Sequence, residues 1–187
     1  DLHSFPTRRS SDLAISVAFK NVISSGLVLD AKGNKMSKHV GNVVNPFDMI
    51  GKYGSDAVRL YMMTNSEPWD NLKFDPEGVD EVRRKFFGTL YNTYSFFALY
   101  ANVDGFDPTA AQVAFEKRPE IDRWILSCLN TLIKGVEAEL DGYDPTRAGR
   151  LIDAFVNDDL SNWFVRLNRK RFWGKEMSED KLSAYQT

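Results

Sequence analysis

The sequence predicts a mainly α-helical protein, in which the end of an α/β domain leads into an antiparallel helical bundle. Three observations support this prediction. A short apolar run, Leu27–Leu29, delivers the chain to a loop bounded by glycines, as a strand of an α/β domain does. Apolar residues then recur every three or four positions from Val79 to Ala101 and from Ile121 to Leu160, which is typical of amphipathic helices. Asp-Pro or Asn-Pro pairs mark several helix starts, where the missing N–H of proline is harmless.

The overall composition limits the classes of function. With 187 residues, the chain is long enough for one large domain or two small ones, and 43% hydrophobic residues suffice for a packed core. The net charge of −2 argues against extensive coating of nucleic acid, so any RNA contact needs a local basic patch. No apolar run approaches the roughly 20 residues that span a bilayer.

The metal-binding and redox residues are few. Cys128 is the only cysteine, which excludes an internal disulfide and fits a reducing cytoplasm. Its place in an apolar stripe predicts a small core residue and not a nucleophile. One cysteine and the two histidines, His3 and His39, cannot assemble an ordinary zinc site.

The beginning of the chain differs from the rest. Residues 1–13 are rich in serine and arginine and show no helical or strand period, and no apolar core follows their basic pair as in a secretory signal. A transit peptide is one interpretation, but we expect a foreign or disordered segment. The apolar spacing from Ala14 to Ile23 predicts a short helix, which ends at Gly26 before a buried strand, Leu27–Leu29.

A lysine-rich loop follows this strand. Lys35-Met36-Ser37-Lys38-His39 lies between Gly33 and Gly41, and no acidic residue occurs between Lys32 and Asn45. Glycine permits backbone bends that strain other residues, and lysine ammonium groups donate charge-assisted hydrogen bonds to phosphate oxygens. The lysine spacing alone leaves two interpretations open, a phosphate-binding loop and a solvated turn.

Two short helices are predicted after this lysine-rich loop. Asn45-Pro46 starts the first, which stops at Gly54, and the second begins at Ser55. Asp56 and Arg59 are three residues apart in the second helix, so they face the same side and can pair. The pair is either an exposed ion pair of about 0–1 kcal/mol or a brace behind the loop.

Longer helices are predicted in the remainder of the chain. Residues 65–74 have no period and are expected to be irregular. Asp75-Pro76 then starts a helix of about 23 residues, or roughly 35 Å, whose aromatic-rich apolar face is expected to be covered on more than one side. Later helices are predicted to start at Pro119, Asp144-Pro145 and Met177-Ser178.

Taken together, these residues resemble the class I aminoacyl-tRNA synthetases. The loop is similar to the second signature of that family, Lys-Met-Ser-Lys-Ser followed by Gly-Asn and Asp-Pro, although His39 replaces the last serine and Asn45 replaces the aspartate. The isoleucyl branch is most similar over five stretches: Ser66–Asp75, Val79–Phe87, Asn92–Phe97, Asp122–Ile125 and Asp158–Trp163. The valyl and leucyl branches share the loop and the bundle, so they remain alternatives.

The resemblance implies a domain organisation. Residues 14–75 correspond to the C-terminal end of a Rossmann-type catalytic domain, and residues 76–187 to a truncated anticodon-binding helical bundle. The family's first signature, His-Ile-Gly-His, does not occur in the sequence. The chain is therefore expected to be a fragment that is inactive alone, from a cytoplasmic and monomeric parent enzyme without membrane association.

The resemblance also implies a function and site residues. The parent would activate isoleucine with ATP and transfer it to tRNA(Ile), with Mg²⁺ accompanying the nucleotide and no zinc site in this chain. Lys35 and Lys38 would act on the leaving pyrophosphate, and Met36, Ser37 and His39 would complete the ATP site. Support of the loop would come from five residues: Gly33, Gly41, Asn42, Asp56 and Arg59.

A second candidate element lies near the C-terminus. Between Trp163 and Trp173, four basic residues fall within six positions: Arg166, Arg169, Lys170 and Arg171. The resemblance favours contact with tRNA phosphates, and we expect the tryptophans to be structural rather than to stack on bases. The alternative is a solvated helix end, where basic residues favour the helix dipole. For the whole chain, a non-catalytic tRNA-binding module and a purely structural helical domain remain alternatives.

Overall fold

The computed structural model describes residues 19–187, which are mainly helical. Two short strands are β1 (Val28–Leu29) and β2 (Leu72–Lys73). The helices are α1 (Pro46–Tyr53), α2 (Ser55–Asn65), α3 (Pro76–Val82), α4 (Gly88–Asp104), α5 (Glu120–Asp141), α6 (Pro145–Ala154), α7 (Arg166–Phe172) and α8 (Glu179–Gln186). Wider π-type turns at Arg83–Phe87 and Phe155–Val165 join α3 to α4 and α6 to α7, and a 3₁₀ turn at Phe115–Lys117 precedes α5. Within residues 19–187, no helix has the length and apolar character needed to cross a membrane.

Three of the predicted helix starts are confirmed. They could be predicted because each cap is formed by residues close together in the sequence. They lie at Asn45-Pro46, Asp75-Pro76 and Asp144-Pro145. In each, the Asn or Asp side-chain oxygen accepts a hydrogen bond from a backbone N–H of the first turn, at 2.9–3.1 Å. The helix predicted between Ala14 and Ile23 lies partly outside the described residues, and the backbone from Phe19 onward is not helical there.

The predicted strand before the loop forms, but it is neither alone nor well buried. Val28 pairs in parallel with Leu72, so the stretch 65–74, expected to be irregular, contains a second strand. Leu72 is buried, whereas Val28 is 41% exposed. The expectation of a buried strand was wrong because parallel strands are buried only where other elements cover them, and α2 and α3 cover β2 instead.

Gly26 allows the chain before β1 to approach the turn before β2. Its N–H donates a hydrogen bond to the carbonyl of Pro68 at 2.9 Å, and a Cβ at this position would lie 2.0 Å from the carbonyl oxygen of Asp70. We expect Gly26→Ala to displace this turn and to destabilise the chain by about 1–3 kcal/mol. The matched control is Gly51→Ala on exposed α1, where a Cβ meets nothing within 4 Å. Equal thermal midpoints for the two variants would contradict the expectation.

A buried cluster supports the lysine-rich loop. It consists of residues from α2, β2, α3 and the segment between the last two: Ala57, Val58, Tyr61, Leu72, Phe74 and Val79. The Tyr61 hydroxyl donates to the Lys73 carbonyl at 2.9 Å and accepts from the Asp75 N–H at 3.1 Å, which ties α2 to β2. Met36 and Val44 pack against this cluster. The loop therefore rests on a hydrophobic core.

A second cluster lies at the other end of the described chain. Phe172, Ala184 and Tyr185 are buried, and α4 contributes Phe96 to them, with its ring 5.3 Å from that of Phe172. The long helix predicted from Asp75 is observed as α3, the Arg83–Phe87 turn and α4. Val79 and Phe86 in its first part are buried. The prediction of cover on more than one side was wrong for α4, which has no buried residue and leaves Tyr91 70% exposed. An amphipathic period shows which face is apolar, but it does not show whether a partner covers that face.

Candidate functional site

The lysine-rich loop bends where the sequence places glycine. Gly33 has φ +85° and Gly41 has φ +74°, conformations that residues with a Cβ rarely adopt. The segments before and after Gly33 lie side by side: Leu29 and Lys35 form an antiparallel bridge, and the N–H of Asp30 donates to the carbonyl of Asn34 at 2.9 Å. The loop therefore folds back beside β1 before it continues to α1.

The charged groups of the loop face solvent. The side chains of Lys35, Lys38 and His39 are exposed. Within residues 19–187, neither lysine pairs with a carboxylate. Two ammonium groups on one glycine-bounded loop can donate hydrogen bonds to an approaching polyanion.

Asn42 fastens the backbone of the loop. Its Oδ1 accepts a hydrogen bond from the N–H of Ser37 at 2.8 Å, and its Nδ2 donates to the carbonyl of Lys35 at 3.2 Å. The same Nδ2 also donates to the carboxylate of Asp30 at 2.9 Å. One side-chain amide thus holds the main chain on both sides of Met36.

Asp30 is a site residue that the sequence analysis missed. Its Oδ1 accepts hydrogen bonds from the backbone N–H groups of Lys32 and Asn34, at 3.0 and 2.7 Å. The hydrogen bond from Asn42, followed by that from Asn34, holds the pKa of Asp30 below its usual value. The sequence feature that could have identified it is an aspartate at the start of a turn that contains Gly33-Asn34. In such turns the aspartate side chain commonly bonds to the backbone two residues on.

Met36 faces an apolar cavity of about 220 Å³ under the loop. The walls come from β1, α1, α2 and neighbouring residues: Val28, Met36, Val44, Pro46, Val58, Met62 and Phe74. Methionine is flexible and fills irregular apolar space. Met36 thus holds the loop through apolar contacts, while Asn42 holds it through hydrogen bonds to the main chain.

The predicted pair of Asp56 and Arg59 forms, but it does not reach the loop. The two charged groups are 3.5 Å apart, and their side chains are 76% exposed for Arg59 and 72% for Asp56. Among the described residues, neither side chain forms a hydrogen bond or an ion pair with the loop. The pair is therefore a surface ion pair, and we leave it out of the site.

The C-terminal basic stretch lies on α7. Arg166, Arg169 and Lys170 are exposed. Trp163 and Trp173 are 57% and 58% exposed, so neither ring is part of the core. The buried positions of this segment are filled by other residues, among them Phe164 and Phe172. The exposed surface of α7 and its flanks is therefore both basic and aromatic.

Arg171 points away from this surface, and its predicted role in RNA binding is corrected. Its guanidinium donates to the two carboxylate oxygens of Asp122 at 2.5 and 2.9 Å and to that of Asp180 at 2.9 Å. The Arg171 side chain is only 14% exposed, and Asp122 is fully buried. Although burial opposes its charge, these two carboxylates raise the pKa of Arg171. Arg171 joins α7 to α5 and α8, so it is not available to a phosphate.

Comparison with known proteins identifies the family. A profile described as tRNA synthetases class I (I, L, M and V) matches residues 8–75, and one described as anticodon-binding domain of tRNA ligase matches residues 122–187. An isoleucine–tRNA ligase of Bacteroides thetaiotaomicron is 71% identical over 172 residues, or 92% of this chain. One from Porphyromonas gingivalis is 65% identical over 186 residues. The chain belongs to the isoleucine–tRNA ligase family.

The chain corresponds to a small part of these longer relatives. It spans 15% and 16% of the length of those two relatives. These identities favour the isoleucyl branch over the valyl and leucyl alternatives. A relative from Thermus thermophilus with the same name is 49% identical over 172 residues.

A solved structure supports the coarse fold of this chain. A leucyl-tRNA synthetase from Agrobacterium radiobacter K84, in a ternary complex with tRNA and LeuAMS, matches with a TM-score of 0.60. The match covers 96% of this chain and 25% of the other, at 20% identity. The likeness supports a mainly helical fold. The two matched profiles agree with the end of a catalytic domain followed by a helical anticodon-binding region.

Proposed function

We propose that this chain supplies two elements of an isoleucine–tRNA ligase, a phosphate-contacting loop for isoleucine activation and part of the tRNA-binding helical domain. The observation that carries the proposal is the loop from Lys35 to His39, which presents two exposed lysines and is held at its base by Asn42. It occurs in a chain that is 71% identical to an enzyme of this name.

The chemistry of activation explains the two lysines. The isoleucine carboxylate attacks the α-phosphorus of ATP, and the bond from that phosphorus to the leaving pyrophosphate breaks. Negative charge grows on the pyrophosphate, so fixed cations beside it stabilise the transition state more than bound ATP. Lys35 and Lys38 are placed to supply those cations. The glycine bends at both ends permit the loop to close on the nucleotide.

Ser37 and its neighbours complete the nucleotide site. The N–H of Ser37 is taken by Asn42, while its Oγ accepts a hydrogen bond from the N–H of His39 at 3.3 Å. The Ser37 hydroxyl therefore keeps its own proton to donate to a phosphate oxygen. Met36 seats the loop, and the exposed His39 lies at the edge next to Lys38.

Mg²⁺ accompanies nucleotides in this family, but the described residues do not form a protein site for it. Within residues 19–187, no group of three or more His, Cys, Asp or Glu side chains is placed to hold a metal ion. The loop offers ammonium groups, which repel a cation. We therefore assign no Mg²⁺ ligand among the described residues.

The domain organisation is part of the proposal. Residues 14–75 would close a Rossmann-type catalytic domain, and residues 76–187 would begin an antiparallel anticodon-binding bundle. Only three residues connect α5 to α6, a length typical of antiparallel neighbours. Isoleucine, ATP and tRNA(Ile) would be the partners of a monomeric cytoplasmic enzyme.

The exposed basic surface of α7 is the proposed contact with tRNA phosphates. In the full-length enzyme, Arg169→Gln with Lys170→Gln should weaken tRNA(Ile) binding and reduce the slope of log K against log salt by somewhat under one unit per lost contact. The matched control changes two exposed lysines elsewhere, Lys117 and Lys134, to glutamine. Binding titrations at several salt concentrations measure both. An unchanged slope in the α7 variant would show that these basic residues face solvent and do not contact tRNA phosphates.

Pyrophosphate exchange tests the proposed activity directly. A full-length enzyme carrying this segment should exchange labelled pyrophosphate into ATP when isoleucine is supplied, and less efficiently with valine or leucine. A preference for valine or leucine would assign the segment to a sister enzyme. If no amino acid supports exchange while tRNA still binds, the chain belongs to a non-catalytic tRNA-binding protein.

A further inference from the structure

The carboxylate of Asp30 sits among lysines but pairs with none of them. It lies directly after β1, and Lys32, Lys35 and Lys38 follow it within eight positions. Its hydrogen bonds go instead to amides, from the backbone N–H groups of Lys32 and Asn34 and from the side chains of Asn34 and Asn42, at 2.7–3.4 Å. The carboxylate therefore orders the loop rather than neutralising its charge.

Asp30 also favours the observed orientation of the Asn42 amide. A side-chain amide has a donor end and an acceptor end, which a half-turn exchanges. With Nδ2 towards Asp30, the same nitrogen reaches the Lys35 carbonyl, and Oδ1 receives the N–H of Ser37. The opposite orientation would place an oxygen against the carboxylate and the carbonyl, and an NH₂ group against an N–H. Only one orientation satisfies all three contacts.

We propose that Asp30 is a positioning residue for isoleucine activation. It orients Asn42, which holds the main chain at Lys35 and Ser37, and it thereby sets where the two loop ammonium groups meet the leaving pyrophosphate. Asp30 itself does not contact the nucleotide. The inference rests on the proposed function of the loop and adds to it a residue upstream of the signature.

The competing explanation is that Asp30 only stabilises the turn from residue 30 to residue 34. Asp30→Asn separates the two explanations. The remaining Oδ1 can still accept from the N–H groups of Lys32 and Asn34, but the new NH₂ faces the NH₂ of Asn42. The turn is thus kept, while the link to Asn42 is broken.

Exchanging the two side chains gives a sharper test. In the single variant Asn42→Asp, two carboxylates face each other and the Lys35 carbonyl loses its donor. In Asp30→Asn with Asn42→Asp, the amide introduced at position 30 can donate to the carboxylate introduced at position 42, whose other oxygen accepts the N–H of Ser37. Only the donor to Lys35 is then missing. Coupling between the two positions therefore predicts that the double variant recovers part of the activity.

The measurement is isoleucine-dependent pyrophosphate exchange by the full-length enzyme, with kcat and KM determined for isoleucine and ATP. We expect Asp30→Asn to lower kcat about tenfold, the loss of roughly one hydrogen-bonded link of about 1.4 kcal/mol, with KM for isoleucine unchanged. The double variant should exceed either single variant several-fold. Asp48→Asn, an exposed carboxylate on α1, is the matched control and should match the wild type.

The outcomes are distinct. A wild-type kcat in Asp30→Asn would overturn the inference. A loss of kcat that adding Asn42→Asp does not reverse would also overturn it, because the carboxylate would then act by its charge or through the turn alone. If the wild-type enzyme itself shows no isoleucine-dependent exchange, the proposed function fails instead. Thermal midpoints of all variants show whether a low kcat reflects unfolding, and recovery in the double variant supports the inference even where one single variant unfolds.

Discussion

Asp122→Ala is expected to destabilise the chain by about 3–5 kcal/mol, because it removes the buried one of the two carboxylates that pair with a largely buried guanidinium. Asp122 is fully buried near the start of α5. Its carboxylate accepts hydrogen bonds from two nitrogens of Arg171 and, at 2.6 Å, from the hydroxyl of Ser183. The substitution thus removes the group that joins α5 to both α7 and α8. Unfolding in denaturant, followed by far-UV circular dichroism, measures the loss.

The surface ion pair of Asp56 and Arg59 provides the matched control. It joins the same two residue types, but the side chains are 72% and 76% exposed. Asp56→Ala should therefore change the free energy of unfolding by less than about 1 kcal/mol. If the two alanine variants lost similar stability, the network around Asp122 would not have the role assigned to it.

Lys38→Ala in the full-length enzyme is expected to slow formation of the isoleucyl adenylate roughly tenfold to hundredfold. The loss of one charge-assisted hydrogen bond of about 1.5–3 kcal/mol, made mainly as pyrophosphate leaves, predicts a change of this size. Isoleucine affinity should stay close to that of the wild type, because the lysine acts on the nucleotide. Single-turnover kinetics with saturating isoleucine and ATP measure the rate.

Lys32→Ala is the control for this prediction. Lys32 is exposed and belongs to the same lysine-rich segment, but it lies on the other side of Gly33 from the signature residues. Its contact with Asp30 uses the backbone N–H, which alanine retains. We expect a small effect on the adenylate rate. Equal losses in the two variants would indicate that general positive charge, and not the placement of Lys38, accelerates the step.

Local features of the fold could be predicted from the sequence. Asn45, Asp75 and Asp144 each precede a proline and cap a helix through bonds to residues two or three positions away. Ser178 caps α8 in the same way, through the N–H of Lys181. The information for these starts lies within four residues of the chain, so pattern and propensity suffice.

Contacts between distant residues could not be predicted in this way. Leu72 pairs with Val28 across 44 positions, and two-residue strands are too short to show a period. Arg171 meets Asp122 across 49 positions, so nothing in the basic stretch distinguished it from its exposed neighbours. The exposure of Trp163 also depends on which residues of α5 lie beside it, such as Trp124 with its ring 6.4 Å away.

The residues of the candidate site that belong to a sequence motif could be predicted. The residues that belong to it only through hydrogen bonds could not. The lysines, Ser37 and the two glycines follow from the resemblance and lie together in one loop. Asp30 was missed because its contribution depends on the turn that brings Lys32, Asn34 and Asn42 around it. A resemblance transfers residues inside a signature, whereas the residues that hold the signature in place have to be found from contacts.

The central claim is that the lysine-rich loop serves isoleucine activation while the basic surface of α7 serves tRNA. The most direct test is isoleucine-dependent pyrophosphate exchange, without tRNA, by full-length enzymes carrying either Lys38→Ala or Arg169→Gln with Lys170→Gln. We predict a roughly tenfold to hundredfold loss in the loop variant and the wild-type rate in the α7 variant. A wild-type rate in the loop variant, or the same loss in both, would contradict the account.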